Sequence, residues 1–177
     1  MTWPTHALLG INSLWIIAAL PPELVGYNMG VLAACAALGA LLPDLDASES
    51  KIKHLKIPGT TIKPFLLPAQ VVNRTDQHRG LLHSLWGLGM VALMTMPFLF
   101  WVGWAPILTL LLGYASHLLG DSATKSGIRL LYPSPTRFHL LPKGWRFTTG
   151  SGAEEVLMAP LALFAIVLLL SSLHQAL

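Results

Sequence analysis

Four short stretches gather the residues that could do chemistry in this chain. "SHLLGD" places His117 and Asp121 four residues apart. On a helix, residues i and i+4 share one face, so an imidazole and a carboxylate at that spacing can reach one metal ion. The plainer reading is a hydrogen-bonded pair at a helix end. "LLPDLD" sets Asp44 and Asp46 behind the helix-ending Pro43. In extended backbone, residues two apart point the same way, so the two carboxylates could share or bridge hard or borderline cations. They could equally be a polar turn. "HRGLLHS" supplies His78 and His83 around Arg79. Imidazole suits zinc, iron, nickel and copper. A fixed guanidinium beside metals suits a phosphoryl oxygen, and it also suits a lipid headgroup reached by snorkelling. "PTHALLG" puts His6 in a first helical turn, either pointing inward or sitting at an interface. His54, His139 and His174 lie among loop or tail residues and are assigned no role. Asp76 and Glu155 are candidate outer partners of a site.

The elements that must position these residues are apolar. The 177 residues are 54% hydrophobic and 11% charged, and the mean hydropathy is +0.62. That is too apolar for an ordinary soluble domain of this size and points to a membrane protein. The length suits one domain over residues 1–177. The net charge is +3. Its basic residues fall in loops between apolar runs, so membrane orientation explains them and nucleic acid does not. The single cysteine, Cys35, excludes an intrachain disulfide and reads as a small packing residue. No Lys or Arg precedes the first apolar run and "AALPPE" is a poor cleavage site, so residues 6–20 are expected to be a retained helix and not a signal peptide.

Five segments are expected to cross a bilayer: residues 6–20, 27–42, 82–101, 104–119 and 156–173. The expected fold is therefore an all-α, polytopic membrane helix bundle. Lys51, Lys53, Lys56, Lys63, Arg74 and Arg79 lie in one loop, and Lys125, Arg129, Arg137, Lys143 and Arg146 in another. Five crossings put both loops on one side, which the positive-inside rule makes cytoplasmic, with the N-terminus inside and the C-terminus outside. The same topology brings His6, Asp44, Asp46, His78, His83, His117, Asp121, Glu154 and Glu155 to that face. Only Glu23 and His174 fall opposite. Random polar decoration of helix ends would populate both faces. Two stretches, "IPGTTIKPFLLPAQVV" and "GIRLLYPSPTRFHLLPKGWRF", mix apolar and aromatic residues with basic ones. They suit the headgroup zone, as simple anchors or as flanks of a lipid entrance.

"THALLG", "GALLPDLD", "HRGLLHSLW", "HLLGDSATKSGIRLLYP" and "TGSGAE" come in an order that resembles the YdjM-type family of inner-membrane, metal-dependent hydrolases, some under LexA control. The resemblance runs from residue 5 to about residue 155, and the last helix matches only as an apolar span. It implies a bacterial inner membrane location. A more distant similarity, to zinc-dependent phospholipase C and related single-strand nucleases, implies His6, Asp44, His83, His117 and Asp121 as metal ligands, with Asp46 and His78 next. Glu154, in the "TGSxxE" element, would be a ligand or a base. Those relatives are all-helical but not membrane-spanning, so the number of ions and the substrate do not carry over.

The expected activity is hydrolysis of a lipid phosphoester or phosphodiester at two or more ions, zinc first and manganese or iron as alternatives. Asp44 or Asp46 would bridge ions or take a proton, and Arg79 would offset charge on phosphate. The partner is a membrane lipid, with no nucleic acid. Two alternatives stand beside this: a divalent-metal transporter, whose ligands should lie near the midplane and on both sides, and a non-catalytic membrane protein with a closed structural metal site.

Overall fold

The computed structural model describes residues 1–19, 27–46 and 80–175, with the side chains of 18, 46 and 173–175 excepted. Glu23, His54, Asp76, His78, Arg79, the first basic loop and the 57–72 stretch lie outside the described residues, as do the Asp46 and His174 side chains. Among the described residues the chain is helical, with two isolated bridges, Thr124–Phe147 and Ile128–Phe138, and no strand.

Helix α1, Trp3–Asn12, begins after Thr2 with Pro4 in its first turn, where the missing N–H costs nothing. A short α2, Trp15–Ala18, continues it. Helix α3, Met29–Leu41, starts at Asn28, whose side chain accepts a hydrogen bond from Gly30 N at 2.8 Å. It gives way to a tight 3-10 turn, Pro43–Asp46, because Pro43 cannot donate to the helix ladder. A second 3-10 turn, Leu81–His83, leads to Ser84, the N-cap of α4, Leu85–Thr95. Pro97 converts the next turn to 3-10 geometry over Met96–Phe98 before α5, Leu99–Val102. Gly103, at φ 68°, reverses the chain into α6, Trp104–Ser122. A folded connection then reaches α7, Gly152–Gln175.

Helices α1, α3 and α6 form the interior, with α3 and α6 making the most extensive pairing. Their backbones meet through small residues. A Cβ added at Gly39 would lie 1.9 Å from Leu110 O, one at Gly113 1.9 Å from Ala36 O, and one at Gly10 2.7 Å from Ala36 O. Where lipid supplies no hydrophobic drive between helices, such close approach is how packing contacts accumulate. Leu14, Ile17, Leu32, Ala33, Ala36, Ala105 and Leu168 fill the centre. Asn12 ties α1 to α7 by donating to Leu161 O at 2.9 Å. Cys35 is a partly buried free thiol in α3, as its packing role requires.

Two helical stretches are long and apolar enough to cross a membrane. Leu85–Val102 has a mean hydropathy of 1.8 and is 6% buried; Gly152–Ser172 has 2.2 and is 11% buried. A core helix of a soluble protein would be mostly covered. Here Leu93, Phe100, Trp101 and Val156 stand open, Phe100 at 91% exposure. Outward-facing apolar residues of this extent call for lipid. The other expected crossings differ: α6 has the length, at 19 residues, but is not among the stretches apolar enough. Thirteen residues in α3 reach about 20 Å against a hydrocarbon core of about 30 Å, and α1 is shorter still.

Candidate metal centre

The polar ends of the helices converge. His117 and Asp121 lie on the last two turns of α6, on one face as their spacing requires. His117 Nδ1 is 2.7 Å from Ala40 O. Ala40 belongs to the final turn of α3, where carbonyls lack an intrahelical partner. A carbonyl can only accept, so Nδ1 carries the proton and Nε2 offers its lone pair. This is the usual way a second partner orients a metal-binding imidazole.

His83 ends its 3-10 turn with its Nε2 3.2 Å from His117 Nε2. The turn is pinned to α6, because the Tyr114 hydroxyl donates to Leu82 O. Ser84 Oγ donates back to Leu81 O. Asp44, in the turn behind α3, has Oδ1 3.6 Å from His83 Nε2 and 3.9 Å from His117 Nε2. Asp121 Oδ2 is 3.9 Å from both of those nitrogens. From α1, His6 stacks on His117 with ring centroids 3.7 Å apart, and its Nε2 is 3.3 Å from Asp121 Oδ1. The Met1 amino group also pairs with Asp121.

Two sets, His6–Asp44–His117 and His83–His117–Asp121, have ligand atoms that all lie within 4.8 Å of one another. Ligands about 2.0–2.1 Å from a tetrahedral zinc stand roughly 3.3 Å apart, so the 3.2–3.9 Å spacings fit a metal coordination shell. The chemistry fits as well. His6, His83, His117 and Asp121 are buried, and Asp44 is 23% exposed at the side chain. His6 Nδ1 is buried without a hydrogen-bond partner. Two carboxylates and facing imidazole lone pairs are costly to desolvate together without cationic charge, of which the described residues supply the Met1 amino group at Asp121. Burial alone would raise the Asp44 carboxyl. The imidazoles of His83, His117 and His6 that face it outweigh burial and hold the group below its ordinary value. A depressed carboxyl contributes stability above its unfolded pKa and loses it as pH falls through the folded one. Asp44 therefore stays ionised at neutral pH, ready to coordinate a cation.

The structure thus unites His6, Asp44, His83, His117 and Asp121. It separates Glu154 from them. Glu154 is buried in the first turn of α7, where Oε1 accepts from the Thr2 hydroxyl at 2.9 Å and from Thr2 N, and Oε2 accepts from Gly150 N at 2.8 Å. Oε1 anchors the start of α1, the helix that carries His6, and Oε2 holds the turn that leads into α7, so in this geometry Glu154 braces α1 against α7. Its neighbour Glu155 is exposed. His139, given no role from sequence, sits outside the cluster against Thr124 O at 3.3 Å. Tyr114 and the Ala40 carbonyl were not foreseen. Tyr114 stands three residues before His117 and so shares its face, whereas a carbonyl leaves no trace in residue identity.

Two variants separate brace from ligand. Glu154→Ala leaves the Thr2 and Gly150 N–H groups unpaired and is expected to cost about 2–3 kcal/mol of stability. Tyr114→Phe frees the His83 turn and is expected to weaken metal binding about tenfold while the fold persists. Thermal unfolding with and without zinc reads both.

An all-helical chain with two lipid-facing spans and a buried His/Asp cluster at one end of its helices is a membrane protein with a candidate metal centre. The model of the YdjM inner membrane protein family matches residues 1–176, and the chain belongs to that family. It is 32% identical to Bacillus subtilis (strain 168) YvsG over 167 residues, 92% of this chain and 91% of that protein. It is also 32% identical to the inner membrane protein YdjM of Escherichia coli (strain K12) over 128 residues, 70% of this chain and 60% of that one. The Shigella flexneri inner membrane protein YdjM matches to the same extent. No solved structure matches.

Proposed function

We propose that this chain is a membrane-embedded metal-dependent hydrolase that cleaves a phosphoester or phosphodiester of a lipid. The observation that carries the reading is the five-residue cluster, assembled from α1, α6 and the turns bordering α3 and α4, and oriented by the Ala40 carbonyl. His6, Asp44, His83, His117 and Asp121 would hold the ion, most readily zinc, with manganese or iron as alternatives. Bound there, such an ion supplies Lewis acidity, polarising a phosphoryl oxygen and acidifying water.

Each residue of the chain has a task. His117 belongs to both ligand sets but has only Nε2 to give, because Nδ1 is committed to Ala40. The two sets therefore cannot both use His117 at once. A second ion would draw on further donors, for which Asp46 and His78 are the sequence's candidates. Asp44 is the most open wall of the cluster, and through it a substrate or a departing proton would pass. Arg79 is proposed to neutralise charge on the phosphoryl group. A structural site would be closed on every side, which the exposed edge of Asp44 disfavours. Transport is disfavoured because the His and Asp side chains of the described cluster gather at one end of the helices, whereas the core from Leu14 to Leu168 is built mainly of apolar side chains.

The proposed topology keeps five crossings in the bacterial inner membrane, the shorter α1 and α3 sheltered within the bundle. The two basic loops and the metal cluster face the cytoplasm. Purified protein should release a water-soluble headgroup product from membrane lipid extract when supplied with zinc, read by mass spectrometry. His83→Ala with His117→Ala should abolish the product. Equal product from wild type and double variant would overturn the reading.

A further inference from the structure

The connection between α6 and α7 is not a slack loop. Lys125 N donates to Phe147 O at 3.0 Å, Ile128 and Phe138 exchange backbone hydrogen bonds at 3.2 and 2.8 Å, and Leu140 N donates to Ser122 O at 2.9 Å. Ile128 is buried against Tyr114 and Leu118. Thr124 Oγ1 donates to Asp121 O at 2.7 Å. The segment is a folded cap clamped to the end of α6 that carries Asp121.

Its outer surface has an unusual composition. From Ser122 to Ala153 the chain has Lys125, Arg129, Arg137, Lys143 and Arg146 and no acidic residue. Alongside these stand large apolar side chains in the open: Leu131 at 67%, Leu140 at 52% and Trp145 at 78% exposure. One end of the cap enters a candidate membrane span and the other leaves α6, which packs against the apolar α4. The cap leaves α6 at Ser122 and enters the apolar span Gly152–Ser172 only seven residues after Trp145. A segment clamped to the end of α6 and running directly into a bilayer-crossing helix is held close to the surface at which that helix enters. Exposed Trp and Leu interleaved with Lys and Arg that form no ion pair among the described residues match the headgroup zone of an anionic leaflet in both polarity and charge.

We infer that the 124–147 cap docks on anionic phospholipid headgroups of the surrounding bilayer, Trp145 and Leu140 entering the interface while Lys125, Arg137 and Lys143 pair with lipid phosphate. It rests on the membrane placement of the proposed function but not on hydrolysis. Because the cap is held to the Asp121 end of α6, it gathers anionic phospholipid beside the metal cluster.

The test uses the full chain in mixed bilayers of phosphatidylglycerol and phosphatidylcholine, with bromines on one lipid or the other. An environment-sensitive fluorophore is placed at Trp145→Cys in a Cys35→Ala background, and at Trp101→Cys, on an apolar span, for comparison. At 145, brominated phosphatidylglycerol is expected to quench on the order of fivefold better than brominated phosphatidylcholine. The preference should vanish with Lys125→Gln and Lys143→Gln, and in the unaltered cap it should decline with added salt. At 101 the two lipids should quench alike. Equal quenching at 145, or a preference indifferent to salt and to both lysines, overturns lipid-phosphate docking. Quenching at 101 with none at 145 shows a cap standing in water, and overturns it too. No quenching at either position would overturn the membrane placement and this inference with it. No turnover is read, so a catalytically silent protein that shows the preference upholds the docking and counts only against hydrolysis.

Discussion

Replacing His117 by alanine is expected to lower metal affinity by more than about 100-fold, beyond what the loss of an outer-shell partner does. His117 is the member common to both ligand sets, and the Ala40 carbonyl fixes the one nitrogen it offers. Its loss removes a ligand from each set and takes away the ring on which His6 stacks. Alanine is a good helix former, so α6 should persist, and the variant should still extract and migrate as folded protein. Zinc titration with a competing chelator measures the affinity. His117→Asn, which can still meet the Ala40 carbonyl but provides no imidazole, is expected to fail nearly as badly. That outcome separates ligation from packing.

The second large effect lies away from the metal. Gly113→Leu is expected to destabilise the protein by at least about 3 kcal/mol, at the severe end of overpacking. The new Cβ would fall 1.9 Å from Ala36 O, a backbone atom in the middle of α3. No side-chain rotation relieves such an overlap, so α3 and α6 must separate. Separation also draws Ala40 from His117, so zinc binding should be lost along with thermal stability. Gly89→Leu serves as the control. A Cβ at Gly89 meets nothing within 4 Å, so that change on the lipid-facing α4 should leave the melting temperature nearly unaltered.

Much of the site could be read from residue types. His117 and Asp121 follow helical spacing, and Asp44 follows a proline stop, so their positions at helix ends were legible. Their convergence was legible too, because topology alone put the helix ends on one face. Three things were not. Glu154 looks the same in sequence whether it binds a metal or caps α1, and its hydrogen bonds to Thr2 and Gly150 appear only in the fold. The Ala40 carbonyl is backbone, invisible to side-chain reasoning. The interruptions of the apolar helices are the third, with α1 giving way to α2 after Asn12 and α3 stopping at Leu41, because hydropathy counts apolar residues without showing where a helix breaks. "GVLAACAALGALL" scores as a span although its small residues serve to bring α3 within backbone contact of α6.

Acid should release the ion, because protons compete with it for imidazole and carboxylate ligands. Asp44, held below the ordinary carboxylate range, is not the group expected to set that release near neutral pH. Alanine at Asp44 should nevertheless weaken binding by removing one ligand, with smaller structural consequences than at the fully buried His83. Isothermal titration of zinc across pH reads both effects.

The central claim is that His6, Asp44, His83, His117 and Asp121 hold a metal ion. Elemental analysis of protein purified without added chelator tests it most directly. At least about one transition-metal ion per chain is expected in the wild type, falling to background in a folded His83→Ala, His117→Ala variant. A well-folded wild-type protein carrying no transition metal and binding none on titration, or a double variant that keeps the same metal content, would contradict it.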